Sequence, residues 1–108
     1  MKRTLVIAAV LTLAGVGAAA AQDGAPPAAR VSIGHFAFEP AQLSVKAGTT
    51  VTWVNHDEEA HTVTALDRSY ASAGLEQEEA YSHRFATPGT YTYFCALHPH
   101  MTATVVVR

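Results

Sequence analysis

Short runs in which apolar and polar residues alternate fill most of the chain after residue 30. A period of two is typical of β-strands that bury one face. Turn signals such as Ala47–Gly48 and Thr87–Pro88–Gly89 separate the runs. The candidate strands cover residues 31–35, 43–45, 49–55, 61–66, 81–85, 90–94 and 103–107. The polar stretch at residues 67–79 shows no clear period, so a loop, a short helix and an edge strand remain open for it.

This pattern predicts an all-β protein of six to eight short strands. A chain of 108 residues is long enough for one domain. We therefore expect one small domain folded as an antiparallel β-sandwich or barrel. Trp53 shares a strand face with Val51 and is expected in its core.

The N-terminus has the layout of a secretory signal peptide over residues 1–21. Lys2 and Arg3 give a positive start, residues 4–21 carry no charge, and the run ends in Ala18–Ala21. An uncleaved membrane anchor is the alternative, although the run is slightly shorter than the roughly 20 apolar residues that a spanning helix needs. The sequence thus predicts that the protein is exported.

Cleavage near Ala21 would leave a flexible leader at residues 22–29, which hold one Gly and two Pro, and a folded domain at residues 30–108. That mature chain has five Lys and Arg against nine Asp and Glu, a net charge of −4 with neutral His. Without a basic stripe, nucleic-acid binding has no electrostatic support. The acidic groups at residues 57–59 and 76–79 are either solvated surface or part of a partner-docking face.

Cys95 is the only cysteine, so the chain cannot form an internal disulfide. An unpaired thiol in an oxidising compartment requires an explanation. The alternatives are pairing with another chain, an inert buried thiol, a nucleophile and a metal ligand.

The stretch Cys95-Ala-Leu-His98-Pro-His100-Met101 favours the metal ligand. It lies between two candidate strands, where a loop can aim thiolate, imidazole and thioether at one point. Two His, one Cys and a weak axial Met are the ligands of blue-copper electron-transfer sites. The second imidazole must come from elsewhere, and we predict His61. The alternative is a chance neighbourhood of a buried Cys, a surface His and a core Met.

The other histidines are expected outside the metal site. His100 is predicted to be an exposed loop residue, because Met101 already offers the axial ligand. His56 is expected at the surface, and its spacing of five from His61 does not fit a helical zinc-protease motif. His35 and His83 are expected as strand positions.

Two segments of the chain resemble the cupredoxins. Val51–Val63 is similar to the cupredoxin segment that carries the first His ligand, and Tyr81–Cys95, with His98 and Met101, is similar to the segment that carries the rest. The short gap between His98 and Met101 is similar to that of the amicyanins, whereas plastocyanins and pseudoazurins have a longer gap. The resemblance covers roughly residues 31–108.

The resemblance implies a two-sheet Greek-key sandwich with one type 1 copper near one end, cycling between Cu(I) and Cu(II). The ligands would be His61, Cys95, His98 and Met101. It also implies a periplasmic electron carrier, which we expect to be monomeric and without a membrane span in the mature form. Its redox partners would be proteins, with a periplasmic dehydrogenase and a c-type cytochrome as candidates. Electrons are expected to pass through the His98 edge, and His98 to leave the metal in the Cu(I) form at low pH.

Two positions depart from the amicyanin pattern. Thr62 stands where amicyanins have the Asn that ties the two ligand loops together, and its hydroxyl is expected to do part of this. Leu97 replaces a Pro and keeps a backbone N–H. Our hypothesis is that this N–H donates to the Cys95 sulfur and raises the reduction potential. Asn55 is a candidate for orienting an imidazole, or a turn residue at a strand end.

Four functions therefore compete. The first is a single-electron carrier with no enzymatic activity. A copper-delivery protein, an enzyme that uses Cys95 as a nucleophile, and a purely structural sandwich are the alternatives. The combined pattern of strands, ligands and export favours the carrier.

Overall fold

The computed structural model describes residues 27–108, which contain eight β-strands and no helix. The strands are β1 (Ala28–Gly34), β2 (Ala37–Glu39), β3 (Gln42–Val45), β4 (Thr49–Asn55), β5 (Thr64–Ala65), β6 (Ala80–Phe85), β7 (Gly89–Cys95) and β8 (His98–Val107). The expected signal peptide and most of the expected leader lie outside the described residues. β1 begins at Ala28, two residues before the expected start of the domain at residue 30.

Within residues 27–108, no helix is long and apolar enough to cross a membrane.

The strands form two four-stranded sheets, with strand order β2-β1-β4-β6 in one and β3-β8-β7-β5 in the other. This confirms the predicted all-β sandwich. Pairing is mixed, however, because β1 runs parallel to β4 and β3 runs parallel to β8. The chain crosses from β2 to β3 in the opposite sheet and returns as β4 beside β1. A crossing connection of this kind makes neighbouring strands parallel.

The core is built on the alternation that the sequence shows in β4. Residues 49, 51, 53 and 55 are buried and the residues between them are only half-buried. Trp53 is fully buried, as predicted, and its ring meets Tyr93 edge to face at 5.4 Å between centroids. Aromatic pairs of this kind add about 0.5–1.5 kcal/mol beyond the area that they bury. Asn55 ends the buried face of β4, so a polar group stands where the core ends.

The expected strands at 61–66 and 103–107 have clearly different bounds in the structure, and the others apart from β4 differ by one to three residues at an end. The run at 61–66 keeps only β5 as a strand, and His61 instead forms an isolated bridge with Leu75. The open stretch at 67–79 is a loop that folds back over the core, because Tyr70 and Leu75 are both buried. β8 begins at His98, five residues before the predicted start, because the β7–β8 hairpin continues with a register shift at Phe94/Cys95.

His83 lies on β6, as expected, and stacks on Tyr70 with ring centroids 4.5 Å apart. Burial lowers the pKa of His83 below its ordinary value of 6.5, since a desolvated imidazolium is disfavoured. A His with a depressed pKa in the folded state contributes stability above pH 6.5. That contribution is lost as pH falls through 6.5 toward the lowered pKa, because the unfolded chain then binds the proton first.

We expect the metal-free protein to lose stability on acidification across pH 6.5, and His83→Phe to lose less of it. Urea unfolding at a series of pH values measures this. His100→Gln removes an exposed imidazole and serves as the control that should follow the wild type. If His83→Phe and wild type have the same pH profile, the assignment to His83 is wrong.

Candidate metal centre

Three of the predicted donor side chains converge at one end of the sandwich. The Cys95 sulfur lies 3.6 Å from His61 Nδ1 and 3.6 Å from His98 Nδ1. All three donor atoms lie within 4.8 Å of one another. Donors at about 2.0 and 2.3 Å from one metal ion, at angles between tetrahedral and trigonal, are about 3.5–3.8 Å apart. The observed separations therefore fit a single ion held between the three side chains.

The donors come from two segments that meet across the sandwich. His61 follows β4, and its backbone bridge with Leu75 fixes it, with N···O distances of 3.1 and 2.7 Å. Cys95 ends β7 and His98 begins β8, where the two residues pair across the hairpin. Met101 is also on β8 and is buried, three residues after His98.

Burial grades across the centre from the core to the surface. His61 and Cys95 are fully buried, whereas His98 is half-buried. The residues around His98 are open to solvent, and Leu97 is 54% exposed. Ala96 and Pro99 are also exposed. His98 is therefore the donor nearest to the surface, in line with the expected electron exit at its edge.

Thr62 joins the two ligand segments. Its Oγ1 accepts a hydrogen bond from Ala96 N at 2.7 Å, and its own N–H donates to the Cys95 sulfur at 3.3 Å. Thr62 Oγ1 also lies 2.9 Å from Thr64 Oγ1. The expectation that Thr62 replaces part of the loop tie made by Asn in amicyanins agrees with these contacts.

The hydrogen bond to the Cys95 sulfur that is expected from the Leu97 N–H is made by the Thr62 N–H in the structure. Thr62 N reaches the sulfur from the opposite segment, so this donor does not depend on the residue type at position 97. Leu97 instead contributes an exposed apolar side chain next to His98.

Asn55 braces the loop that leads to His61. Its Nδ2 donates to Glu59 O at 2.9 Å and to Leu75 O at 2.8 Å, and its Oδ1 accepts from Asp57 N at 2.9 Å. Both interpretations of Asn55 agree with these contacts: the bond from Asp57 N is that of a turn residue at the end of β4, and the bonds to Glu59 O and Leu75 O hold the backbone next to His61.

Asp57 is a site residue that the sequence analysis missed. Its Oδ2 lies 2.8 Å from His61 Nε2. Burial acts to raise the pKa of Asp57, but hydrogen bonds from Phe36 N, His61 and His35 N together lower it below the usual range. The carboxyl is therefore ionised at neutral pH. The spacing of four residues from His61 was the available signal, but Asp57 stands first in an acidic run and resembles solvated surface.

Phe36 is the second residue that was missed. Its ring meets both imidazoles edge to face, with centroids 5.1 Å from His61 and 5.1 Å from His98. It remains 42% exposed. The local sequence gives no signal for this role of Phe36, because the contact depends on the β1–β2 turn lying next to His61 and His98.

The remaining histidines lie outside the donor cluster, as predicted. His56 is exposed and its Nδ1 lies 3.2 Å from the Glu78 carboxylate. His100 is exposed, as expected, but it lies on β8 and not in a loop. His35, expected on a strand, instead occupies the β1–β2 turn with a φ of 52°.

Fold and donor set define a protein class, and comparison with known proteins gives the same one. The cupredoxin-like domain model matches residues 4–107, and the chain belongs to this family. It is 38% identical over 94 residues to amicyanin from Paracoccus denitrificans, covering 82% of this chain and 72% of that protein.

Solved structures agree with this placement. A copper(I) form of an amicyanin mutant superposes with a TM-score of 0.71 at 35% identity, covering 75% of this chain and 82% of that one. A copper-containing nitrite reductase from Thermus scotoductus superposes with a TM-score of 0.72 at 28% identity, covering 78% of this chain but 23% of the reductase. The protein is thus a small blue copper protein of the electron-transfer class, with a type 1 copper as its cofactor.

Replacing Thr62 by Ala removes the acceptor for Ala96 N while leaving the backbone donor to sulfur in place. We expect a loss of about 1 kcal/mol in the free energy of unfolding of the metal-free protein, the usual contribution of one hydrogen bond. Thr62→Ser keeps the hydroxyl and is the matched control. Equal stability of the Ala and Ser variants in urea unfolding would show that the loop tie contributes nothing.

Leu97→Pro tests the reassigned donor. Since Thr62 N supplies the hydrogen bond to sulfur, we expect the reduction potential of the copper-loaded protein to stay close to that of the wild type. Spectroelectrochemical titration measures it. A clear drop in potential would instead support the original hypothesis for the Leu97 N–H.

Proposed function

We propose that His61 Nδ1, Cys95 Sγ, His98 Nδ1 and the Met101 thioether hold one copper ion, and that the exported protein carries single electrons between redox proteins. The observation that carries this proposal is the pair of 3.6 Å separations from the sulfur to two imidazole nitrogens. A bound copper ion supplies a one-electron Cu(I)/Cu(II) couple. Imidazole, thiolate and thioether are the donors that select this metal.

The protein's own contribution is to hold the donors still. His61 is fixed by its bridge to Leu75 and by Asp57, and Cys95 accepts a hydrogen bond from Thr62 N. His98 is paired across the β7–β8 hairpin. Groups that are held in place before an electron arrives need little rearrangement when the charge changes, which is the requirement for fast transfer in both directions.

Electron exchange is proposed at the His98 edge. This imidazole is half-buried, and its ring joins the buried sulfur to the surface. Leu97, the preceding residue, and Phe36, whose ring centroid is 5.1 Å from that of His98, have exposed side chains that offer apolar contact to a partner. A partner that docks there comes within a few atoms of the sulfur.

All four proposed ligands come from the chain itself, which supports a carrier rather than an enzyme. A catalytic metal site keeps a coordination position open for water or substrate. The match to nitrite reductase concerns only a minor part of that larger chain. Here the three described donors close around one point, and two of them are fully buried.

Location and partners belong to the same proposal. Residues 1–21 would direct export and be removed, so that a monomeric carrier works in the periplasm. A periplasmic dehydrogenase as donor and a c-type cytochrome as acceptor are the partner classes that the amicyanin likeness supports. The lone Cys95 fits an oxidising compartment, because it is fully buried and so protected from disulfide exchange.

Addition of Cu(II) to the purified mature protein is expected to give an intense blue absorption band that a mild reductant bleaches and an oxidant restores. Cys95→Ser should lose the band, because the colour requires a thiolate ligand. His100→Gln, which changes an exposed imidazole on the same hairpin, should keep it. Weak colour in the wild type as well as in Cys95→Ser would contradict the copper-carrier function.

A further inference from the structure

The tip of the β1–β2 hairpin lies directly against the candidate metal centre. Gly34 and Ala37 pair at the ends of the strands, which leaves His35 and Phe36 as the two turn residues. Both have positive φ, 52° and 56°. Non-glycine residues adopt this region at a conformational cost, and persist there only when neighbouring groups hold them.

The group that holds them is the Asp57 carboxylate. His35 N donates to Oδ1 at 2.8 Å and Phe36 N donates to Oδ2 at 2.9 Å. Each oxygen therefore captures one amide of the turn. More than 20 residues of chain separate the turn from Asp57, so local sequence does not impose the contact.

The same carboxylate holds His61 in one orientation. Its Oδ2 lies 2.8 Å from His61 Nε2, while His61 Nδ1 faces the Cys95 sulfur at 3.6 Å. An ionised carboxylate only accepts hydrogen bonds, so Nε2 carries the proton and Nδ1 keeps a free lone pair. That lone pair is the one that the proposed metal site needs.

The backbone of Asp57 is itself held by a hydrogen bond to Asn55. Its N–H donates to Asn55 Oδ1 at 2.9 Å, and Asn55 is fully buried. The side chain of Asp57 is 15% exposed and His61 is fully buried. The Phe36 ring completes the arrangement, because it packs edge to face against both imidazoles. The turn, the carboxylate and His61 therefore form one connected unit.

We propose that Asp57, held by the turn residues His35 and Phe36, is a positioning residue that fixes the tautomer and orientation of His61 and lowers the reduction potential of the bound copper. The inference rests on the proposed function, in which His61 is a copper ligand. A carboxylate behind a metal-bound imidazole makes the imidazole a stronger donor. A stronger donor favours Cu(II) over Cu(I), which lowers the potential.

Asp57→Asn tests this with little change in shape. Loss of such a supporting partner typically weakens metal affinity by about 10–100-fold. If Cu(II) affinity falls tenfold relative to Cu(I) affinity, the potential rises by about 59 mV. Glu58→Gln is the matched control, because it removes one negative charge from an exposed neighbour. We expect a much smaller shift in that variant.

A second measurement uses the metal-free protein. Amide hydrogen exchange at His35 and Phe36 should be faster in Asp57→Asn than in the wild type, because the carboxylate no longer captures both amides. Exchange in Glu58→Gln should match the wild type. This measurement involves neither copper nor electron transfer, so it reports on the positioning unit alone.

Equal shifts of potential in Asp57→Asn and Glu58→Gln would overturn the proposal, since they would reduce it to general electrostatics. Unchanged exchange at the turn in Asp57→Asn would overturn the link to the hairpin.

If the Asp57→Asn variant does not fold, Asp57→Glu can be used instead, because it keeps the charge and lengthens the side chain. It should raise the potential and speed exchange at the turn, and wild-type values for both would refute the proposal. A wild type without the blue band would fail the copper function instead, while the exchange measurement would still test the positioning unit.

Discussion

The burial of the His61 imidazole and the Cys95 thiol, beside the half-buried His98, at the end of a small apolar core is the constraint on which the rest of the structure depends. Polar groups taken out of water destabilise a fold unless each finds a partner. His61 and Cys95 are fully buried, and each has a partner: Asp57, four residues earlier in the chain, for the imidazole, and Thr62, from the other ligand segment, for the sulfur. A metal held between the donors would satisfy the lone pairs that face one another. The contacts that arrange the site are therefore also contacts that stabilise the fold.

The sandwich suits this problem because its two sheets deliver groups to the same end. The hairpin β7–β8 in one sheet carries Cys95 and His98, and the β1–β2 hairpin in the other sheet brings Phe36 over both imidazoles. His61 lies on the connection between β4 and β5, where the chain passes from one sheet to the other. Movement of either sheet would disturb at least one donor. Packing of the two sheets around Trp53 therefore also limits movement of the donor side chains.

Local patterns in the sequence were enough for the strands and the ligand loop, and not for the contacts between segments. Alternation in residues 49–55 and the spacing of Cys95, His98 and Met101 are properties of a few neighbouring residues, and the structure places the described donors accordingly. The contact between Asp57 and Phe36 joins residues distant in the chain, and the spacing of Asp57 from His61 did not distinguish it from an acidic surface run. The two parallel strand pairs were missed for the same reason, since they follow from how the chain crosses between sheets.

The two departures from the amicyanin pattern, at positions 62 and 97, differ in their consequences. The reason is that some contacts are made by backbone atoms and others by side chains. The contact to sulfur at position 62 is made by a backbone N–H, which every residue except proline possesses, so exchanging Asn for Thr leaves that contact intact. Only the loop tie depends on the side chain, and the Thr62 hydroxyl reaches Ala96 N at 2.7 Å. Position 97 lies at the surface, where a change from Pro to Leu alters the exposed side chain beside His98. The interior of the site therefore tolerates one substitution through its backbone, while the other changes only the exposed surface.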